Sequence, residues 1–547
     1  MSIENIIRHS ETLFRSAERT QAEERWKEIS EFVLNNQFSS FESSGGIPAT
    51  NYAGSTSNSS AGSKTTQRLF DNTAGQAAQD LASAFQGTLT NPATVWSRLR
   101  FADEDLNNND DAVTWLEEAN RIMHNKFNES NFDSEIAKGY QSFVVFGSMV
   151  LLLEENESLG FRFTAIHLAN VAWAENKDGL VDTICHKFRL TARQAVQKWG
   201  PKVHPEITKC LEKNPEQEFT FLHCIKPREN FEEGLVEGKK RPIASIYIDV
   251  EHRVEVHETG FYEMPVLVGR WSLTPGERYG RGPGHIAIPE VRTLNKAKEL
   301  SLRAYAKAID PPMLANQRDV FGPLNLNPGT ISLVKDRNGI GPIPSAARID
   351  VMQIKDEDSK AAIRASFYID KLLLPPRTET GEMTAFEISQ RIEQMQRVLG
   401  PVLSRLNFEL LNPLVTRSFR VLLRTDQLPP LPDILVERGV NVDIIFVNQL
   451  ARAQQIQDVN TIQQWVQGLA VIAQMKPEII DNINEDEIAK HSAKILGVPE
   501  DVVKNDKEVE GLRQQRAQQA QQAQMLEAGV QVADIGSKLS GGTDGTE

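Results

Sequence analysis

The residues able to do covalent or phosphoryl chemistry are few in this chain and poorly spaced for it. The nearest approach to a phosphate-binding loop is Gly234-Leu235-Val236-Glu237-Gly238-Lys239-Lys240. It lacks the loop spacing and the Ser/Thr that would hold Mg²⁺. Gly280, Gly282 and Gly284 in YGRGPGH suggest a phosphate cradle, but Pro275-Gly276 before them and Pro283 among them predict an irregular structural loop. No HExxH, CxxC or EF-hand pattern is present, and Cys210 with His223-Cys224 is a thin trio that buried structural residues explain. Cys185-His186 could pair as thiolate and imidazole, yet adjacent residues on a helix or strand point in different directions. There is no GxSxG nucleophile elbow. The carboxylate pairs Asp103–Asp105, Asp110-Asp111 and Glu232-Glu233 stand in polar surroundings that read as solvated surface. The sequence therefore predicts no catalytic residues, no metal and no cofactor.

Charge is more informative. The chain has 547 residues with Lys+Arg 60 and Asp+Glu 74, a net charge of −14 and a pI near 5.4. Such a balance argues against a general duplex-DNA binder, whose affinity comes from many Lys/Arg–phosphate contacts, but allows local contact with DNA. Between Ile286 and Asp310 the sign reverses: Arg292, Lys296, Lys298, Arg303 and Lys307 stand against Glu290, Glu299 and Asp310. An ordinary solvated helix face would also look like this.

At 40% hydrophobic and 24% charged residues, the composition is that of a globular chain able to bury large cores. Three cysteines, Cys185, Cys210 and Cys224, cannot build a disulfide framework in so long a chain and fit a reducing compartment. The opening MSIENIIRHSETLF lacks a secretory h-region, and the most apolar stretch, Phe143 to Leu153, is shorter than the ~20 residues of a bilayer span. The expectation is a soluble, cytoplasmic protein with no membrane partner.

The elements follow from periodicity. Glu4 to Phe38 reads as helix packed through Ile7, Leu13, Trp26, Ile29 and Val33, and the Ser/Gly/Thr/Asn cluster of 39–66 as a flexible loop. A helix from Asp71 carries Ala74, Ala77, Ala78, Leu81, Phe85 and Leu89 on one stripe and ends at Asn91-Pro92. Two more helices are expected from Asp110 to Leu153, the second apolar and buried. Alternation then takes over at Phe161/Phe163, Phe219/Phe221/His223/Ile225, Ile246/Ile248/Val250 and Val254/Val256, with Glu258-Thr259-Gly260 as a turn; a short helix, Thr191 to Trp199, lies between. This predicts an antiparallel sheet.

Near Pro289 the period returns to helical and runs to Asp310-Pro311-Pro312; a Pro/Gly-rich insert with strand-like pieces (ISLV, ARIDVMQI) reaches about Ile354; a second helix, Ser359 to Leu374, halts at Pro375-Pro376. A long helix is expected from Thr384 through Arg424, kinked at Gly400-Pro401 and Asn412-Pro413. LPPLP (Leu428 to Pro432) breaks the chain before helical Gln449 to Lys504, and a Gln/Ala-rich helix precedes a disordered end, SKLSGGTDGTE.

Five segments taken together resemble the head-to-tail connector, or portal, proteins of short-tailed bacteriophages. They are Arg68 to Leu99, Gly179 to Gly200, Pro265 to Glu299 (continuing to DPPML), Thr384 to Arg417, and Gln449 to Gln467 with GVPEDVV near Gly497. They occur in the family's order and cover most of Arg68 to Arg516; the Ser/Gly loop and the Gln/Ala tail fall outside the match.

The resemblance implies an α+β, predominantly helical fold assembled as a ring, usually a dodecamer, at the capsid vertex through which DNA enters. It implies a wing (1–285), stem helix one (286–312), a small α/β clip (313–354), stem helix two (355–374), a channel loop (375–383), a long wing helix (384–427), a helical crown (428–504), and a C-terminal helix or barrel with a tail (505–547). DNA-facing stem positions would come from Arg292, Lys296, Lys298, Arg303, Lys307, Arg364 and Lys371, only some of which can face inward, since a helix presents one stripe. The channel loop would hold Pro375, Pro376, Arg377, Thr378, Glu379, Thr380 and Gly381. The implied partners are double-stranded DNA, a terminase docking on the clip, the major capsid protein, scaffolding protein, tail adaptor or tail tube proteins and internal core proteins. The implied location is the virion, with assembly in host cytoplasm. A mostly acidic wall with a few basic positions suits a conduit, because each firm phosphate contact adds friction. The absent P-loop fits a motor carried by a separate protein. The alternatives are another ring or adaptor of the virion tail and, third, a cytoplasmic hydrolase.

Overall fold

The computed structural model describes residues 2–35, 69–107, 109–156, 160–232, 234, 237–309, 313–315, 340–342, 349–369, 398–438, 440 and 442–446, with scattered positions beyond. The chain divides into a body, Met1–Gln449, and a second unit, Leu450–Glu547. In the second unit the described positions, among them Ile462, Trp465, Val466, Leu512 and Arg513, are helical. The expectations for the loop 39–66, the ISLV piece, residues 384–397, most of the crown and the C-terminal tail lie outside the described residues.

The amino-terminal stretch forms two helices, α1 (Ile3–Phe14) and α2 (Ala17–Phe32), rather than one. Ser16 breaks the run because its hydroxyl accepts from the Arg19 amide and caps α2. Leu13, Trp26, Ile29 and Val33 are buried as expected. Helix α3 (Thr73–Leu89) buries all six residues of its predicted stripe.

After a short strand β1 (Ser97–Phe101) and a single turn α4 (Glu104–Asn107) come α5 (Asp110–Glu129) and α6 (Phe132–Phe146). The apolar run to Leu153 is not one helix: it turns at Gly147, φ +75°, and continues as strand β2 (Ser148–Asn156). A run buried on all sides carries no periodicity to separate helix from strand, and a left-handed glycine cap decides it here.

Strand β2 is the centre of a three-stranded antiparallel sheet, flanked by β3 (Gly160–Ala165) and by β9 (Val266–Arg270), which was not foreseen because it is buried along its whole length and shows no alternation. The second sheet has five antiparallel strands in chain order, β4 (Val171–Glu175), β5 (Val181–Thr191), β6 (Glu218–Pro227), β7 (Ile243–Asp249) and β8 (Val254–Phe261). Helix α7 (Ala192–Trp199) starts in a capping box, Thr191 with Gln194, and α8 (Pro205–Lys213), not foreseen, starts with proline at its first position after the cap residue His204. The expected turn at Glu258-Thr259-Gly260 is wrong: these residues lie inside β8, and the reversal is at Val250–Arg253. Gly260 is there for close packing, since a Cβ would meet the Gly238 and Ile243 carbonyl oxygens at 2.4 and 2.6 Å.

Helix α9 (Pro283–Ile309) corresponds to the predicted first long helix. Strands β10 (Met313–Ala315) and β11 (Ile340–Pro342) pair antiparallel within the insert. Helix α10 (Ile349–Ser366) begins earlier than expected, so ARIDVMQI is not strand-like: Ile349 to Ile354 is helical. It breaks before Leu374, at a turn with Tyr368 at φ +57°. Residues 398–424 form α11, a continuous helix through Pro401 and Pro413 with a π-helical turn at Asn407–Leu411. The π-helical turn stands immediately before Pro413, whose nitrogen cannot donate to the helix ladder. The described body ends with α12 (Asp433–Arg438) and β12 (Val442–Phe446), which pairs with β1.

The largest core joins α2, α3, α5, α6, the β2 sheet and α11. Two buried arginines fasten α11 to it. Arg270 on β9 pairs with Glu409 at 2.8 Å and with Glu175, while Arg417 donates to the Glu263 and Leu153 carbonyls. The fold is mixed, of helices and antiparallel sheets, as expected in outline.

Candidate functional site

The GRGPG loop is built for contact with backbone, not with phosphate. A Cβ at Gly280 would lie 2.1 Å from the Gly147 carbonyl oxygen, and one at Gly284 2.2 Å from that of Val145. The Gly280 amide donates to Ser148 Oγ at 3.0 Å and the Arg281 amide to the Ser272 carbonyl. The loop thus seats the start of α9 on the end of α6.

From that anchor α9 packs against α2, α3, α6 and α10. Its inner stripe, Ala287, Val291, Leu294 and Ser301, is buried. Lys298 belongs to this side. Its ammonium meets Asp356 of α10 at 2.6 Å, with the Asp356 side chain only 7% exposed. Asn295, also buried, accepts from the Phe70 amide at 2.7 Å through Oδ1. Ile363 and Phe367 of α10 sit in the main core, and Tyr368 stacks on Trp271. The two helices are therefore a fixed pair.

The outer stripe of α9 is basic. Arg292, Lys296, Arg303 and Lys307 fall about a turn apart on one line and are exposed, with Leu300 between them. Much of that charge is tempered locally: Arg292 reaches Glu28 of α2 at 2.7 Å, and Lys296 and Arg303 both grip Glu299, at 2.7 and 2.6 Å. The Lys296 hydrogen bond holds the Glu299 carboxyl below its usual range. Arg364 is exposed on α10. Lys371 and the loop residues Pro375, Pro376, Arg377, Thr378, Glu379, Thr380 and Gly381 lie outside the described residues. Of the predicted basic set, the structure brings Arg292, Lys296, Arg303 and Lys307 together and turns Lys298 away. The 3.6-residue period contained that answer, because Lys298 shares a face with Val291 and Leu294.

The suspected Cys210, His223 and Cys224 trio does not assemble. His223 Nε2 meets Ser245 Oγ at 2.8 Å, while Cys224 faces Cys185 across the strands, Sγ to Sγ 3.2 Å, and Cys210 packs with another cluster. Among the described residues no helix is long and apolar enough to cross a membrane.

The helix pair is thus anchored at one end, carries a basic outer line and frames a small β insert. The family model for bacteriophage head to tail connecting proteins matches residues 13–503. The chain belongs to this family. Over 542 residues, 96% of this chain and 93% of the relative, it is 28% identical to the portal protein of Salmonella phage epsilon15. It is 27% identical over 530 residues, 95% of this chain and 93% of the relative, to the probable portal protein of Bordetella phage BPP-1. Head-to-tail connectors are structural components of the virion.

Proposed function

We propose that this connector is a portal subunit: copies of it close into a ring at one capsid vertex, and DNA enters and leaves the head through the bore. The observation that carries the reading is the α9–α10 pair with its outward basic line. Heterologous contacts between identical wedges generate a closed ring when their rotation closes. Exposed apolar residues beside the basic line, Leu300, Leu302 and Ile309, are the kind of surface a neighbouring copy covers. Arg292, Lys296, Arg303 and Lys307 would face the bore, with Arg364, exposed on α10, Lys371 and the 375–383 loop as further candidates. Lys298 serves the helix pair instead. Partial neutralisation by Glu28 and Glu299 keeps phosphate contacts weak, which suits sliding, because each firm contact adds affinity and salt dependence.

Capsid and tail proteins are the partners that a head-to-tail connector requires. A terminase motor on the insert between the stem helices, scaffolding protein during assembly and core proteins inside the head extend that set. Replacing Lys296, Arg303 and Lys307 together with Ala should leave ring formation intact and change the amount of DNA packaged or retained. Full-length genomes packaged and retained at wild-type levels would contradict the assignment of this face.

A further inference from the structure

Away from the stem, the five-stranded sheet brings two histidines and a glutamate together. His204 is the cap residue of α8, Glu206 stands in that helix's first turn, and His252 lies in the turn joining β7 to β8. Each offers one ligand atom, and these atoms all lie within 4.8 Å of one another. His252 Nε2 is 3.0 Å from Glu206 Oε2, and the two imidazole rings stack at 4.1 Å.

We propose that His204, Glu206 and His252 bind a divalent transition-metal ion of the zinc type. Two imidazoles and a carboxylate are a donor set that zinc accepts with a water in the fourth position. The nitrogen ligands favour zinc and its neighbours over calcium or magnesium, which prefer all-oxygen shells. Tetrahedral bonds of ~2.0–2.1 Å put neighbouring ligand atoms roughly 3.3 Å apart, so His252 Nε2 and Glu206 Oε2, at 3.0 Å, hardly move, while His204 closes in by at most about 1.5 Å and its ring rotates out of the stack.

A supporting shell is already in place. Asp249, buried at the end of β7, accepts from His252 Nδ1 through Oδ2 at 2.6 Å, which leaves Nε2 as the atom offered to a metal. Its other carboxylate oxygen accepts from the Glu251 and His252 amides, at 3.0 and 3.2 Å. A carboxylate behind a ligating histidine in this way fixes the ring and raises its basicity. The ion would tie α8 to the β7–β8 turn and so brace the sheet, independently of the stem reading. The set escapes motif searching because His252 is far from His204 and Glu206 in sequence, with no fixed spacing.

The test is titration of purified full-length protein with Zn²⁺ by calorimetry and with Co²⁺ by visible absorption. One ion per chain and a tetrahedral Co²⁺ spectrum are expected. His204→Gln and Glu206→Gln, both near the surface, should each weaken binding by at least about tenfold with unchanged circular dichroism, and Asp249→Asn by about ten- to a hundredfold. No uptake by the wild-type chain, or uptake that His204→Gln and Glu206→Gln leave unaltered, would overturn the proposal.

Discussion

At the scale of the residue, what matters is where a side chain is forbidden or a proton unwelcome. Gly284 admits the Val145 carbonyl where a Cβ would be, so Gly284→Ala must push α9 off α6. A loss of about 1–3 kcal/mol is expected in chemical denaturation, as for other forced overpacking. His167 is 6% exposed, its Nδ1 accepts from the Ala169 amide, and burial together with the Arg19 charge pushes it down to about 4. A neutral buried histidine gives stability that is present above its ordinary pKa and lost as pH falls from about 6.5 toward 4, because the unfolded chain takes the proton first. Burial lowers His285 to about 4 and His186 to about 3, in the same direction. Melting temperature should therefore fall over this window, and His167→Asn, which keeps an acceptor for the Ala169 amide, should flatten the slope by about 3 kcal/mol in total. An unchanged slope would show that other groups govern the acid limb.

At the scale of the element, the Lys298–Asp356 pair is the feature to probe. Removing Lys298 leaves a carboxylate on α10 with its main partner gone in a buried place. Lys298→Ala should cost about 1–3 kcal/mol, while Lys298→Ala with Asp356→Ala recovers part of it. Lys307→Ala, on the outer line, should leave stability within about 0.5 kcal/mol. Equal losses for Lys298 and Lys307 would refute the division of the helix into inner and outer faces. The same helix shows what the sequence could disclose. The α3 stripe and the α9 period were legible because one face of each helix is buried and the other wet. Leu151 to Leu153 was not, since a strand buried on both faces looks like a buried helix. Neither was β12, whose partner β1 lies more than 300 residues away and leaves no local trace. The basic line was visible as a charge reversal, and the Glu299 counter-charge at i,i+3 and i,i+4 with it, but the Glu28 counter-charge from α2 required the fold.

At the scale of the whole molecule, the family and the ordered run of elements agree, and they explain why a chain with so few chemically capable side chains is so large. Under the proposed portal reading its work is geometric: an acidic protein with a weak, locally balanced basic line suits a passage for sliding DNA. The most direct test is a cryo-electron microscopy reconstruction of the assembled protein. A closed ring is predicted, with α9 alongside the bore and Lys296, Arg303 and Lys307 pointing toward the axis while Lys298 stays paired with Asp356. An assembly without a bore, or one in which α9 lies on the outer surface, would contradict the account.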